Sequence, residues 1–143
     1  MSLQRFELRL HSTAPAERLF ALLSDAPGWP QWFPAARKVV WDPDSADRVR
    51  LVGPGRVQVR EVVLSETPPT HHAYSIRSVI PVRDHRADVH FSPTASGTHI
   101  LWSTTFRPAV PGTGRVLRAG LRLGVSRLAA ALITAAEAHT GSR

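Results

Sequence analysis

Cysteine is absent from the chain, which excludes disulfides, thiolate metal ligands and cysteine nucleophiles. No apolar run approaches the roughly 18 residues that a membrane-spanning helix needs. Residues 1–6 alternate polar and apolar side chains and lack the apolar core of a secretion signal. We therefore expect a cytoplasmic protein that is not an integral membrane protein.

Lysine is almost absent too, because Lys38 is the single lysine among 18 basic residues. The basic residues outnumber the 11 acidic residues and give a net charge of +7. Such a charge favours nucleic acid or an acidic membrane as a candidate partner. The arginines, however, are spread from Arg5 to Arg143 without forming a block, and GC-rich coding favours Arg over Lys. We predict no nucleic-acid partner.

The chain does have the length and composition of one globular domain: 143 residues, 43% hydrophobic and 20% charged. A chain of this size buries about 68–70% of its surface on folding, enough for a core and a cavity. Since no internal repeat or linker interrupts it, residues 1–143 are expected to form a single domain.

The hydrophobic pattern changes twice along the chain. Alternation over residues 5–11 predicts a strand, and residues 15–24 and 28–34 predict two short helical segments, the second rich in aromatics. Six one-faced segments between residues 36 and 106 indicate an antiparallel sheet, and the proline-free residues 115–139 a long helix. This order predicts an α+β fold whose C-terminal helix alone covers the apolar face of the sheet.

Motifs along the whole chain carry a family resemblance. They occupy residues 14–20 (APAERLF), 23–25, 29–33 (WPQWF), 81–87, 97–102, 106–108 and 111–114. With them the chain resembles the START-like, or helix-grip, superfamily (SRPBCC), specifically its polyketide cyclase/dehydrase group. The resemblance implies a curved seven-stranded antiparallel sheet wrapped around a long C-terminal helix, with two short helices after strand 1. It also implies a sheet–helix cavity for a hydrophobic, polyketide- or lipid-like small molecule.

Four polar side chains share the parity of apolar residues in their strands: Glu61, Tyr74, His85 and Thr104. A polar side chain on a buried face is informative because burial disfavours it. Glu61 there suits a general base or acid, His85 a proton shuttle, and Tyr74 a hydrogen-bond donor to a substrate carbonyl. These three are the predicted catalytic residues of a cyclisation and dehydration.

Each candidate also has a structural interpretation. Glu61 could instead pair with Arg60 or Arg77 at a sheet edge. His85 could lie in a solvated turn, and Tyr74 could be an amphipathic core residue. Convergence of at least two candidates in one cavity would favour an enzyme over a carrier, which needs only apolar walls.

Apolar side chains of the aromatic segment, the strands and the long helix are expected to line the cavity. The predicted set is Trp29, Trp32, Phe33, Val59, Ile76, Val89, Trp102, Thr104, Leu121, Gly124 and Leu128. The resemblance implies a pocket position for Trp29. It also implies a pocket arginine from the strand at residues 57–64, where parity offers Glu61 instead. Alternatively, the aromatic rings close the end of the sheet, and glycines such as Gly120 allow close packing.

No metal site or cofactor is predicted. His71 and His72 should split to opposite faces of a strand, without a third ligand spaced for zinc. Arg115, Arg118 and Arg122 share one face of the long helix. That face is either solvated or contacts an acyl-carrier protein or an acidic lipid surface, as in a lipid carrier. The protein is expected to be a monomer or homodimer.

Overall fold

The computed structural model describes residues 2–55 and 57–140. Its strands are β1 (Gln4–Ser12), β2 (Val39–Trp41), β3 (Val49–Val52), β4 (Val59–Thr67), β5 (His71–Ile76), β6 (Val82–Thr94) and β7 (Gly97–Pro108). Its helices are α1 (Ala16–Ser24), α2 (Trp29–Trp32) and α3 (Gly114–Thr140), with 3₁₀ turns at Ala26–Gly28 and Pro34–Ala36. None of these described helices combines the length and apolarity that a bilayer crossing requires.

The seven strands form one antiparallel sheet in the order β1-β7-β6-β5-β4-β3-β2. This order confirms the expected helix-grip architecture, with α1 and α2 linking the two edge strands. Residues 95–96 join β6 to β7 and lead into Gly97, whose φ is 142°. A Cβ at Gly97 would lie 2.0 Å from the Ser12 carbonyl oxygen, so glycine lets this hairpin pack against the end of β1.

Two helices share the inner face of the sheet. Leu19 and Leu23 of α1 and Leu132 of α3 are completely buried, and α1 packs against β5 and β6. The expectation that the C-terminal helix alone covers the sheet is therefore wrong. In the first half of α3, by contrast, Val116 is 76% exposed and Leu123 is 52% exposed.

The second half of α3 is anchored to the end of β1. The Thr13 amide donates to Glu137 Oε2 at 3.0 Å, and Ser12 Oγ donates to the same oxygen at 2.9 Å. These two hydrogen bonds lower the pKa of Glu137, because they stabilise the carboxylate. The anchor fixes one end of α3 on the sheet, and the other end reaches the cavity described next.

Candidate ligand-binding cavity

A cavity of about 310 Å³ lies between strands β3–β5, the aromatic α2 segment and the first half of α3. Its walls are Trp29, Phe33, Val52, Val59, Glu61, Tyr74, Ile76, Ile80, Gly120, Leu121, Gly124, Val125 and Leu128. A Cβ added at Gly120 or Gly124 would meet no described atom within 4 Å. These glycines therefore leave open space beside the cavity and do not serve close packing.

Most of the predicted lining residues reach this cavity: Trp29, Phe33, Val59, Ile76, Leu121, Gly124 and Leu128. Trp32 instead borders a separate groove along α3. Val89, Trp102 and Thr104 point inward as predicted, but they are at most 1% exposed within the core. The inner face extends beyond the cavity, because α1 covers the part of the sheet near β6.

The tryptophan of the α2 segment is held in place at the cavity wall. Trp29 is 2% exposed, and its Nε1 donates to the Leu23 carbonyl oxygen at 2.9 Å. The prolines on either side restrict the segment to a short helical turn. Trp29 lines the cavity, and a guanidinium packs against its ring.

That guanidinium belongs to Arg50, a functional candidate that the sequence analysis missed. Arg50 is completely buried, and its Cζ lies 4.5 Å from the Trp29 ring centroid and 4.8 Å from that of Tyr74. Its Nε donates to Glu61 Oε1 at 2.7 Å, and its Nη1 lies 3.0 Å from His72 Nε2. The site therefore contains a buried arginine, supplied by β3 and not by β4.

Glu61 and Tyr74 converge on the cavity, as two of the three predicted catalytic residues. Glu61 pairs with Arg50, not with Arg60 or Arg77, and lies on β4 inside the sheet and not at its edge. Tyr74 accepts a hydrogen bond from Trp102 Nε1 at 3.3 Å. Burial, followed by the Glu61 charge, raises the pKa of Tyr74, so its hydroxyl stays protonated and can donate.

The buried chain continues from Arg50 to His72. A guanidinium only donates, so His72 Nε2 accepts and Nδ1 carries the proton toward Glu66 Oε2, 3.0 Å away. Burial and then the Arg50 charge lower the pKa of His72 to about 4. His72 is thus neutral near pH 7 and acts as an acceptor that holds Arg50.

His85 does not join the other two predicted catalytic residues. It is 5% exposed, and its Nδ1 accepts a hydrogen bond from the Ile76 amide at 2.9 Å. It borders a second, more open depression of about 580 Å³ that is formed by residues 75–80 and 82–85. Since His85 is buried in β6, it does not lie in the solvated turn considered for it, and this burial lowers its pKa to about 4.

The sequence contained part of the signal for the missed residues. His72 shares the parity of Tyr74 and Ile76, which predicts an inward side chain. Arg50 alternates with Val49 and Leu51, a pattern that by itself predicts the polar face for its side chain. Only the register, which pairs Arg50 with Glu61, shows that the charge has a buried partner.

The adjacent histidines do split to opposite faces, as predicted. No third ligand is spaced for zinc along the sequence, but strand pairing adds neighbours that the spacing does not show. On the outer face, ligand atoms of His71, Asp88 and His90 all lie within 4.8 Å of one another.

Comparisons with known proteins agree with this architecture. The family described as polyketide cyclase / dehydrase and lipid transport matches residues 4–137. The chain is similar to the di-domain ARO/CYC StfQ from the steffimycin biosynthetic pathway, with 17% identity, a TM-score of 0.78, and coverage of 97% of this chain and 52% of StfQ. It therefore spans about half the length of StfQ.

Two further solved structures are similar over nearly their whole length. A point mutant of Thalictrum flavum norcoclaurine synthase, in complex with a transition-state analogue, has 16% identity, a TM-score of 0.77 and 98% coverage of each chain. Ara h 8.0201 has 16% identity, a TM-score of 0.78, and coverage of 94% of this chain and 98% of its own. No curated protein sequence matches the chain. At these identities the structural likenesses establish the fold.

Proposed function

Because the chain belongs to the polyketide cyclase/dehydrase and lipid-transport family, we propose that it binds a hydrophobic small molecule in the cavity between the sheet and α3. The observation that carries this proposal is the partly open cavity of about 310 Å³, with apolar and aromatic walls and, among the described lining residues, two ionisable side chains, Glu61 and Tyr74. Cavities of this kind favour ligands through burial of apolar surface, while a few polar groups fix the orientation.

The charges around the cavity restrict the ligand further. Glu61 is already neutralised by Arg50 at 2.7 Å, so a cationic ligand would have to compete with a buried guanidinium. The Tyr74 hydroxyl remains a donor, which suits a ligand carbonyl or hydroxyl oxygen. The volume lies near the lower end of the range for small-molecule pockets. We therefore expect a compact, uncharged ligand with an oxygen placed toward Tyr74.

The same two side chains support a proposed dehydration of a β-hydroxy ketone. One Glu61 oxygen takes the α-proton, and the C–H electron pair forms an enolate whose oxygen accepts a hydrogen bond from Tyr74. When the C=O bond re-forms, the enolate electrons make the Cα=Cβ bond and the β-hydroxyl leaves. Glu61 gives the proton it took to this hydroxyl, which therefore leaves as water. An intramolecular aldol addition supplies such a β-hydroxy ketone: Glu61 forms the enolate of the uncyclised precursor, its carbon adds to a second carbonyl, and that carbonyl oxygen takes the proton that Glu61 returns.

Ligand binding can be tested with one matched pair of variants in α3. Native mass spectrometry, with organic extraction of what co-purifies, should find a hydrophobic species on the wild type. Gly124→Leu places a side chain in the open space beside the cavity and should remove that species and the uptake of a hydrophobic fluorophore. Ala119→Leu adds the same side chain on the exposed face and should change neither. Equal binding by all three proteins would contradict the proposal.

Variants that keep the shape of the side chain distinguish catalysis from simple ligand carriage. Glu61→Gln and Tyr74→Phe should retain the extracted ligand or its unreacted precursor but lose its conversion, measured by mass spectrometry. His85→Gln is the matched control, because His85 borders a different depression. If the wild type also leaves the ligand and its precursor unconverted, the protein is a carrier, and turnover in every variant would contradict the roles of Glu61 and Tyr74.

Lipid carriage is a second candidate, and the exposed first half of α3 favours it. Val116 and Leu123 are more than half exposed on the stretch of helix that brings Gly120 and Gly124 to the cavity. Arg115 and other exposed arginines share this stretch. Exposed apolar side chains with adjacent cations suit an anionic lipid surface. Docking there would bring the cavity close to the bilayer.

Flotation with vesicles that contain phosphatidylglycerol tests this candidate. The wild type should float at low salt and less at high salt. The double variant Arg115→Glu/Arg118→Glu should not float. Arg77→Glu/Arg83→Glu makes the same charge change on residues outside α3 and should float like the wild type. Loss of flotation in both double variants would mean that net charge alone drives binding. An acyl-carrier protein remains a predicted alternative partner for this surface.

A further inference from the structure

We propose that His71, Asp88 and His90 form a binding site for a divalent transition-metal ion such as Zn²⁺ on the outer face of the sheet, opposite the cavity. This site is separate from the proposed ligand-binding function, since its three side chains do not line the cavity.

Strand pairing brings the three side chains together. The register of β5 against β6 sets His71 directly opposite His90 and Ala73 opposite Asp88, so all three candidates project from one face. The two imidazole rings stack with centroids 4.6 Å apart and planes inclined by 22°. His71 Nε2 lies 2.7 Å from Asp88 Oδ1. The small alanine opposite Asp88 leaves its carboxylate able to reach the histidines.

The distances suit one shared ion after a small adjustment. Zinc bonds of about 2.0–2.2 Å in a tetrahedron set ligand atoms roughly 3.4 Å apart. The three ligand atoms here already lie within 4.8 Å of one another. The remaining shift is small for His90, which is exposed and free to change its side-chain angles. Three protein ligands leave a fourth position on the ion for water.

The donor set indicates the class of ion. Two imidazoles and one carboxylate suit zinc, copper or nickel. Calcium and magnesium prefer oxygen ligands throughout. Because His71 and Asp88 are half-buried and His90 is exposed, an ion can enter directly from solvent.

A neighbouring arginine provides a discriminating test. Arg86 donates to Asp88 Oδ2 from Nε at 2.9 Å and to Oδ1 from Nη2 at 3.1 Å. The guanidinium orients the carboxylate, but it also competes with a cation for the same oxygens. Arg86→Gln should therefore tighten metal binding, whereas a variant that merely loosened the surface would not.

The experiment is calorimetric titration of Zn²⁺ into the full chain without a histidine tag, in a buffer that does not chelate the metal. The wild type should bind one ion. His90→Gln and Asp88→Asn should each weaken binding at least about tenfold, the lower bound seen when even an outer-shell partner of a metal site is lost. Circular dichroism confirms that each variant is folded.

His11→Gln is the matched control, because His11 is an exposed histidine of β1 that hydrogen-bonds Ser96 and lies outside the cluster. It should bind Zn²⁺ like the wild type. Equal affinities for wild type, His90→Gln and Asp88→Asn would overturn the proposal. An unchanged affinity in Arg86→Gln would also overturn it, since the ion would then lie away from Asp88.

Discussion

At the residue scale, the buried arginine dominates the energetics of the site. Desolvating a guanidinium costs several kcal/mol unless its donors are paired. Arg50 offsets this cost with Glu61, His72 and the faces of two aromatic rings. Its Nη2 has no hydrogen-bond acceptor among the described residues. The site is therefore sensitive to the loss of any one of these partners.

Arg50→Met should lower the free energy of unfolding by about 3–5 kcal/mol, because it leaves the Glu61 carboxylate without its buried cation. Urea denaturation measures this change. Adding Glu61→Gln to the variant should recover part of the loss, since the two effects are coupled.

Arg60→Met is the control for that variant. Arg60 pairs with Asp42 at 2.7 Å, but its side chain is 40% exposed, so its removal should cost less than about 1 kcal/mol. Equal losses for Arg50→Met and Arg60→Met would contradict the buried-pair account.

Stability should fall as the pH drops from about 6.5 toward 4, because two histidines are buried in the neutral form. The pKa of His85 is about 4 in the folded protein and 6.5 in the unfolded chain. Between these values the unfolded state binds the extra proton, so protonation favours unfolding. By this linkage, protonation of His85 in the unfolded chain lowers the free energy of unfolding at pH 5 by about 2 kcal/mol relative to neutral pH.

His85→Gln isolates that contribution, because glutamine keeps an acceptor for the Ile76 amide and does not titrate. Urea denaturation at pH 7 and pH 5 should show that the variant loses about 2 kcal/mol less than the wild type on acidification. Equal losses would mean that His85 is not buried in the neutral form. His72, whose pKa is also about 4, should keep part of the dependence in both proteins.

At the scale of elements, the two halves of α3 differ in how deeply they are buried. Ala129, Leu132 and Ala136 in its second half are buried, and Glu137 ties this half to β1. The first half combines exposed leucine and valine with two glycines that leave open space. Stability should therefore reside in the second half and ligand access in the first.

A pair of identical substitutions tests that division. Leu132→Ala should lower the free energy of unfolding by about 2–5 kcal/mol, because it removes a completely buried side chain. Leu123→Ala, in the exposed half, should change it by no more than about 0.5 kcal/mol. Chemical denaturation of both variants gives the comparison, and similar losses would show that the first half also packs on the core.

At the scale of the whole molecule, the sheet is uneven in how firmly its strands are held. β6 and β7 pair from Val82–Pro108 down to Thr94–Gly97. The edge strand β2 pairs with β3 over three residues, Val39–Trp41, and one backbone hydrogen bond flanks the pair on each side, from Gly53 N to the Lys38 oxygen and from Asp42 N to the Val49 oxygen. Local opening requires less free energy where few hydrogen bonds and buried contacts hold a strand. The β2–β3 edge, which is next to the cavity residue Val52, should therefore open first.

Hydrogen–deuterium exchange measures this gradient directly. Amides of β2 should exchange fastest within the sheet and those of the β6–β7 pair slowest. A bound ligand should slow exchange at Val52 and Val59, which line the cavity, more than in β7. Uniform protection across the sheet would contradict the predicted order of opening.

Much of the fold could be predicted, because its signals are local. Period-two alternation, proline and glycine turns and a long helical periodicity depend on neighbouring residues, and all of them match the structure. The inward positions of Glu61 and Tyr74 followed from the same alternation. The division of the inner face between α1 and α3 could not be predicted, since both helices are amphipathic and only packing assigns each its area.

Local sequence patterns specify the element order, the antiparallel sheet and the apolar faces, because each depends on the pattern of a single segment. Which polar residues meet depends on how the strands pair. Arg50, Glu61 and His72 come from three strands: the register sets Arg50 opposite Glu61, and beyond the bulge between Val63 and Ser65 it sets Glu66 opposite His72. Cross-strand pairing likewise brings His71 to His90. Such contacts join segments far apart in the chain, and their geometry exists only after the strands have paired.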